Sequence, residues 1–469
     1  MENQPSQTAF PMTYRQTEIQ RLTRWIVSGQ SGSVIGLPGC GRSNLLEFLC
    51  AQPELLWAQQ PMLNAHVVLV PVNLFILPAS DLATFYRVLL RAFYHASRYF
   101  VPALQETATR LYRENIEAQD PFLPQSALQE LLFLFQDSHT RVVVVLNHFD
   151  SFLLEATPKM INTLRGLRDG FKHTLCFIVG MQQEVAYLPN PELLGEMYEL
   201  LDRNVCWVGA MDDQDAQNVI AQTTRTAIAP PTAAEIDAML RLSGNFPALL
   251  QLIAYWWSSV SPRPPVKRWQ ASLMAENNIR RRLAKMWDGL TQEEQFVLSE
   301  IAGLQNRFSE ENGNVQDSQV VKERVGQRHE DLLIRLAQKG ACVQTSEGWK
   351  VRGDLLATYV KEVGASSRGR IWLDKETQEI SQGFTRIDDL TPLERRLLQH
   401  FITHPYKLHE SEALIAYIWE DKSGDMVDND LQQLVYRLRK KIDAIPPQYI
   451  VTWKGRPGGY QFYPEGRPK

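Results

Sequence analysis

The sequence predicts an α/β protein with a parallel, doubly wound sheet, followed by a helical segment and two small α+β units. Three observations carry this reading. Short β-branched apolar runs at residues 34–35, 66–74, 141–146, 174–179 and 205–208 alternate with stretches of helical spacing, the pattern of strands covered on both faces by crossover helices. A glycine-rich stretch, Gly36-Leu37-Pro38-Gly39-Cys40-Gly41-Arg42-Ser43, joins the first run to a helical pattern. The last hundred or so residues place three helical patterns before two strands around a Gly-rich, basic turn.

The glycine-rich stretch follows the phosphate-loop template G-x-x-x-x-G-K-[ST] at every position except the lysine. In such a loop the glycines let successive N–H groups converge at a helix N-terminus, where the dipole favours phosphate. The lysine reaches the β- and γ-phosphates, and the hydroxyl holds Mg²⁺. Gly36, Gly39, Gly41 and Ser43 are in place. Arg42 keeps the charge but is planar, forked and bulkier than a compact ammonium, so it is no neutral replacement. The implied ligand is ATP or ADP.

Ahead of the loop, Tyr14-Arg15-Gln16-Thr17-Glu18-Ile19 opens an amphipathic helix. With the loop that follows, this order of features resembles the AAA+ and STAND class of P-loop ATPases, in particular its origin-recognition-like members. The resemblance implies a P-loop NTPase core over residues 1–210. It also implies that the strand near residue 141 should end in D-E-hydrophobic-D, where the first Asp holds the Mg²⁺ shell and the Glu polarises water. Here those positions read Asn147 and His148, and only Asp150 remains. An amide brings no negative charge to Mg²⁺, and an imidazole is a poor ligand for an ion that prefers hard oxygens. The expectation is a degenerate core that binds nucleotide weakly or not at all, without turnover and with Mg²⁺ doubtful. Gly36, Gly39, Gly41, Arg42, Ser43, Asn147 and Asp150 are the candidate nucleotide-binding residues. The resemblance also offers Gln182 as a sensor residue and Arg203 as a trans-acting arginine.

From residue 211 the pattern turns helical. Thr232-Ala233-Ala234-Glu235 is a capping box, and Gly244-Asn245-Phe246-Pro247 resembles the G-G-x-P turn of the helical lid in the same ATPases, placing a lid at 211–275. Asn245 replaces the second glycine, a mild departure because Asn tolerates left-handed backbone. Arg280-Arg281-Arg282 reads as a solvated helix face. Residues 276–363 then give helices and a small β-ribbon, suggesting a first winged helix, which in that class binds DNA in some members and proteins in others. Residues 364–370 are small and polar, the composition of a linker.

Residues 371–469 hold the most informative pattern. Thr391 caps a helix with Pro392 at its first position, a second helix ends at Trp419, and a third runs from Val427 to Ile442. Leu431, Leu434, Val435, Leu438 and Ile442 fall at helical spacing and should face a core. The L-T-x-x-E-x-x-L-L opening, the V-D-x-x-L-x-x-L-V-x-R-L-R-K-K-I helix and the terminal Gly458-Gly459-Tyr460 resemble the OmpR/PhoB-type winged-helix effector domain. That resemblance places the third helix in the major groove of double-stranded DNA and the wing on the backbone or minor groove. The candidate DNA-binding residues are Asn429, Gln432, Gln433, Tyr436, Arg437, Arg439, Lys440, Lys441, Lys454 and Arg456. Amides and arginines suit adenine and guanine edges. Arg439, Lys440 and Lys441 are better suited to phosphates, which position without specifying.

The expected whole is a P-loop NTPase core with a helical lid and two winged-helix domains. The net charge of -4 among 469 residues gives no global sign of a nucleic-acid binder, so such a site must be local. Five scattered cysteines without C-x-x-C pairing argue against a disulfide framework or a zinc site. No run of about 18 apolar residues occurs, so the expectation is a cytoplasmic protein outside the membrane. Three functions remain open: a sequence-specific DNA-binding regulator with a non-hydrolysing ATPase module, an ATP-driven switch on DNA, and a subunit that docks proteins or copies of itself.

Overall fold

A computed structural model of the chain describes residues 10–59, 67–188, 190–227, 229–310, 329–346, 348–366, 371–373, 378–382, 385–419, 428–443, 448–453, 458–464 and 466–467. The chain forms two compact units. The first holds residues 1–291 with 334–343 and 352–355; the second holds 292–333, 344–351 and 356–469.

The first unit is built on five strands: β1 (Gly32–Ile35), β2 (Val67–Asn73), β3 (Arg141–Asn147), β4 (Leu175–Met181) and β5 (Val205–Trp207). Their order in the sheet is β2-β3-β4-β1-β5, and every pairing is parallel. The apolar runs explain the sheet's interior position. All seven residues of β4 and the middle five of β3 are buried, as strands need to be when helices cover both faces. One such layer joins helices Leu82–Ala96 and Phe122–Asp137 to β2, β3 and β4 in a continuous apolar core. The fold is the parallel P-loop α/β core that the sequence predicts.

The helical segment after β5 follows the local rules that its residues set. Thr232 and Glu235 form a reciprocal capping box. Asn245 has φ 61° and donates from its side-chain amide to Asp213 at 2.7 Å, so it fills the glycine position in left-handed backbone while satisfying its own polar group.

Residues 334–343 also belong to the first unit. Arg335 and Lys339 both ion-pair with Glu184 at 3.1 Å, and Lys339 is fully buried. Beside them two glycines bring backbones together: a Cβ on Gly340, whose φ is +76°, would lie 2.5 Å from the Ala210 nitrogen.

In the second unit, strands Ile371–Leu373, Ile380–Gln382 and Thr385–Arg386 form one antiparallel sheet. Leu408–Glu410, Ile450–Trp453 and Gly459–Phe462 form another, with Gly459–Phe462 central. Against them pack helices Pro392–Thr403, Ser411–Ile418 and Asp428–Ile442, giving a winged helix. Leu431, Leu434, Val435, Leu438 and Ile442 are all buried in its core, as their spacing predicts.

Glu394 is a charged member of that core. It closes the Thr391 capping box and accepts from Lys441 Nζ at 2.8 Å while only 1% exposed. Burial pushes its carboxyl up, but the bonds from Lys441 and from Thr391 outweigh burial and hold it below the usual carboxylate range. A carboxyl depressed by folding stabilises the fold above its unfolded pKa and loses that contribution as pH falls through the folded value. Chemical denaturation should therefore show Glu394→Gln less stable than wild type at pH 7, with the gap closing as pH falls below about 4.3. A gap that stays constant down to acid pH would remove this account.

Candidate nucleotide cleft and nucleic-acid interface

The glycine-rich loop leaves β1 and enters helix Arg42–Ala51. Geometry requires all three of its glycines, and Gly39 has φ +91°. Gly41 has φ +89°, and a Cβ on Gly36 would lie 2.4 Å from Cys40 Sγ and 2.6 Å from the Val208 carbonyl. Arg15, itself buried, donates to the Cys40 carbonyl at 2.8 Å and to the Gly209 carbonyl at 2.8 Å. It thus ties the preceding helix to both the loop and the exit of β5.

The loop borders a cleft of about 320 Å³, lined also by His148, Gln182, Pro247, Gln251 and Arg282. Arg42 is 7% exposed, and neither its Nε nor its Nη1 has a hydrogen-bond partner. Burial lowers its pKa, against the pull of the Asp150 charge. Gly180 in β4 makes room beside it: a Cβ there would lie 2.9 Å from Asn147 Oδ1 and 3.5 Å from Arg42 Nε.

Of the other candidates, Gly36, Gly39, Gly41 and Ser43 line the cleft. Asn147 ends β3 and turns its side chain back, accepting from the His148 backbone N–H at 3.0 Å. Asp150 accepts from the Gln182 N–H at 3.3 Å through Oδ2, while Oδ1 has no partner. Burial, and then the charge of Arg42, lower the His148 pKa, so the ring is neutral at pH 7. Arg203 lines a different, open groove with Arg21 and Arg24.

Arg282 is the residue that sequence reasoning misplaced. In helix Asn277–Asp288 the buried positions are Ile279, Leu283 and Met286. Arg282 falls on the flank of that stripe and lies against the loop, its Cδ 3.2 Å from where a Gly39 Cβ would stand. Arg281, one residue back, is exposed. The signal was present in the helical spacing, which puts 282 three residues after a core position and one before the next.

In the C-terminal winged helix, Asn429, Gln432, Gln433, Tyr436, Arg437 and Lys440 are all exposed on helix Asp428–Ile442. Lys440 Nζ sits 4.7 Å from the centre of the Tyr436 ring. Arg439 and Lys441 are placed differently from the phosphate contacts that the sequence suggested. Arg439 donates to the Ile450 carbonyl and the Thr452 hydroxyl, both at 2.8 Å, which fastens the helix to the adjacent strand. Lys441 serves Glu394 and the Asp389 carbonyl. Lys454 and Arg456 lie outside the described residues.

Residues 388–462 match the family described as transcriptional regulatory protein, C terminal. The C-terminal part of the chain thus carries an OmpR/PhoB-type DNA-binding domain, as its motifs suggest. Among curated proteins, none matches the chain. Solved structures similar to it include the Aeropyrum pernix ORC2 protein in ADPNP and ADP complexes, at 14% identity and TM-score 0.40, covering 74% of this chain and 92% of that one. A Walker-type ATPase of Pyrococcus abyssi is 14% identical with TM-score 0.42, covering 74% and 95%. The Aeropyrum pernix ORC1 protein in complex with DNA is 14% identical with TM-score 0.36, covering 74% and 92%. Among the described residues no helix is long and apolar enough to cross a membrane.

Proposed function

We propose that this protein is a sequence-specific DNA-binding regulator whose N-terminal module binds ATP or ADP without hydrolysing it and serves as a sensor or partner platform. The observation that carries the reading is the division of helix Asp428–Ile442 into two faces. Its apolar residues are buried in the domain core, while two glutamines, an asparagine, a tyrosine, an arginine and a lysine stand exposed together. Those side chains have the donors and acceptors to read base edges in the major groove, where a good bidentate pair contributes about 1–3 kcal/mol of discrimination. The absence of hydrolysis is supported by Asn147 and His148 at the end of β3: neither supplies the carboxylate that would anchor Mg²⁺ or polarise water.

Selection of bound fragments from a genomic library by the full chain tests the DNA reading. One motif should be enriched, and Gln433→Ala with Arg437→Ala should weaken binding to it about 10²-fold while weak binding to unrelated DNA persists. Enrichment of no motif, or of the same motif by the double variant, would sink the assignment. ATP turnover above that of buffer would sink the non-hydrolysing part.

A further inference from the structure

The cleft at the phosphate loop contains a guanidinium on which the Asp150 charge acts but whose hydrogen-bonding capacity the protein leaves partly unfilled. Arg42 is more than nine-tenths buried, it lines the cleft, and two of its guanidinium nitrogens have no partner. A buried, unpaired guanidinium is costly unless something anionic arrives to meet it. A second cation, Arg282, lines the same cleft and lies against the loop, with Nη1 3.3 Å from where a Gly39 Cβ would stand. No carboxylate is among the side chains that line the cleft; its side-chain amides and hydroxyl belong to Ser43, Asn44, Gln182 and Gln251.

This inventory suits an anion and not a magnesium complex. Mg²⁺ needs near-ideal octahedral oxygen coordination and is usually anchored by one or two carboxylates. At the end of β3 that role falls to the Asn147 amide and the neutral His148, and Asp150 is turned to the Gln182 backbone. Two guanidinium forks with the N–H groups at a helix N-terminus are, by contrast, a strong receptor for phosphate oxygens, because each fork can bond two of them at once.

We infer that this cleft binds a nucleoside diphosphate as a metal-free anion, with Arg42 and Arg282 together supplying the positive charge that a magnesium ion would otherwise bring. The inference rests on the nucleotide-binding part of the function proposed above and adds to it the ligand's charge state and a residue, Arg282, from outside the loop. Two arginines and a helix dipole balance most of the charge of a diphosphate, whereas a triphosphate without metal would add an anionic group with no cation left to meet it.

Calorimetric titration of the full chain with ADP, in excess EDTA and again in excess MgCl₂, tests it. The dissociation constant should agree within about twofold between the two buffers, and ATP should bind more weakly than ADP in EDTA. Arg282→Gln should weaken ADP binding about tenfold, with a melting temperature unchanged from that of Arg281→Gln, which keeps wild-type affinity. Changing Asn147→Asp with His148→Glu should make binding tighten when Mg²⁺ is added. Binding that appears only with Mg²⁺, or an Arg282→Gln protein that melts and binds like wild type, would overturn the inference and leave nucleotide binding intact. No ADP or ATP binding in either buffer would overturn both, while the DNA selection would still stand on its own result.

Discussion

Lys339→Ala is expected to destabilise the first unit by about 3 kcal/mol, the lower end of the range for removing one partner of a buried ion pair. Lys339 is wholly inaccessible and holds Glu184 at 3.1 Å, so its removal leaves a carboxylate with less compensation in a dry site. The effect falls at the lower end because Arg335 remains on the same carboxylate, at 3.1 Å. The companion variant decides the cause. Changing Glu184 and Lys339 both to Met removes the charges along with their desolvation and should recover most of the loss. Denaturant midpoints of the two proteins measure this directly; equal losses in both would mean that packing around the lysine stem, and not its charge, is what counts.

Gly459→Ala should be comparably damaging in the second unit. Gly459 pairs with Glu410 in the antiparallel ladder, and a Cβ on it would lie 2.1 Å from the His409 carbonyl oxygen and 2.9 Å from its carbon. Both atoms are backbone of the neighbouring strand, so no side-chain rotation relieves the overlap and the strands must part. A loss of about 3 kcal/mol is expected, together with loss of binding to the selected DNA motif. The helical Gly166 provides the contrast. Nothing stands within 4 Å of a Cβ there, and Gly166→Ala should add up to about 1 kcal/mol through helix propensity. A Gly459→Ala protein that melts within about 2 °C of wild type would show that the strands can shift at little cost.

Much of this architecture is legible in the residues because it is set locally. The strand runs, the capping boxes at Thr232 and Thr391, the left-handed Asn245 and the five-residue apolar stripe of helix Asp428–Ile442 each follow from a few neighbouring side chains. The loop and the loss of carboxylates at Asn147 and His148 are equally plain. What spacing could not supply was the far partner of each cation. Arg15, Arg282, Arg439, Lys339 and Lys441 are all basic residues in helices or at helix ends, and sequence gives each the same default of a solvated charge or a phosphate contact. Their actual roles depend on groups distant in the chain: Gly209 for Arg15, the loop for Arg282, Glu184 for Lys339, Glu394 for Lys441. Spacing could not show that Arg439 and Lys441, offered as phosphate contacts, also hold partners within their own domain.

The helix Glu330–Gln338 shows the same diversion with a wider consequence. Its one basic residue, Arg335, and Lys339 just after it pair with Glu184, and Glu330, Asp331, Ile334 and Gln338 are its exposed positions. Two carboxylates facing solvent repel a phosphate backbone, so this helix is ill suited to lie on DNA. On the proposed function the helix Asp428–Ile442 addresses a word of about four to six base pairs. A word that short recurs roughly every 10³ base pairs, against the 10⁶ or more competing positions of a genome. On that function a specific address is written as repeated words, about one helical turn apart, and occupancy should rise steeply with the number of repeats rather than with the quality of any one.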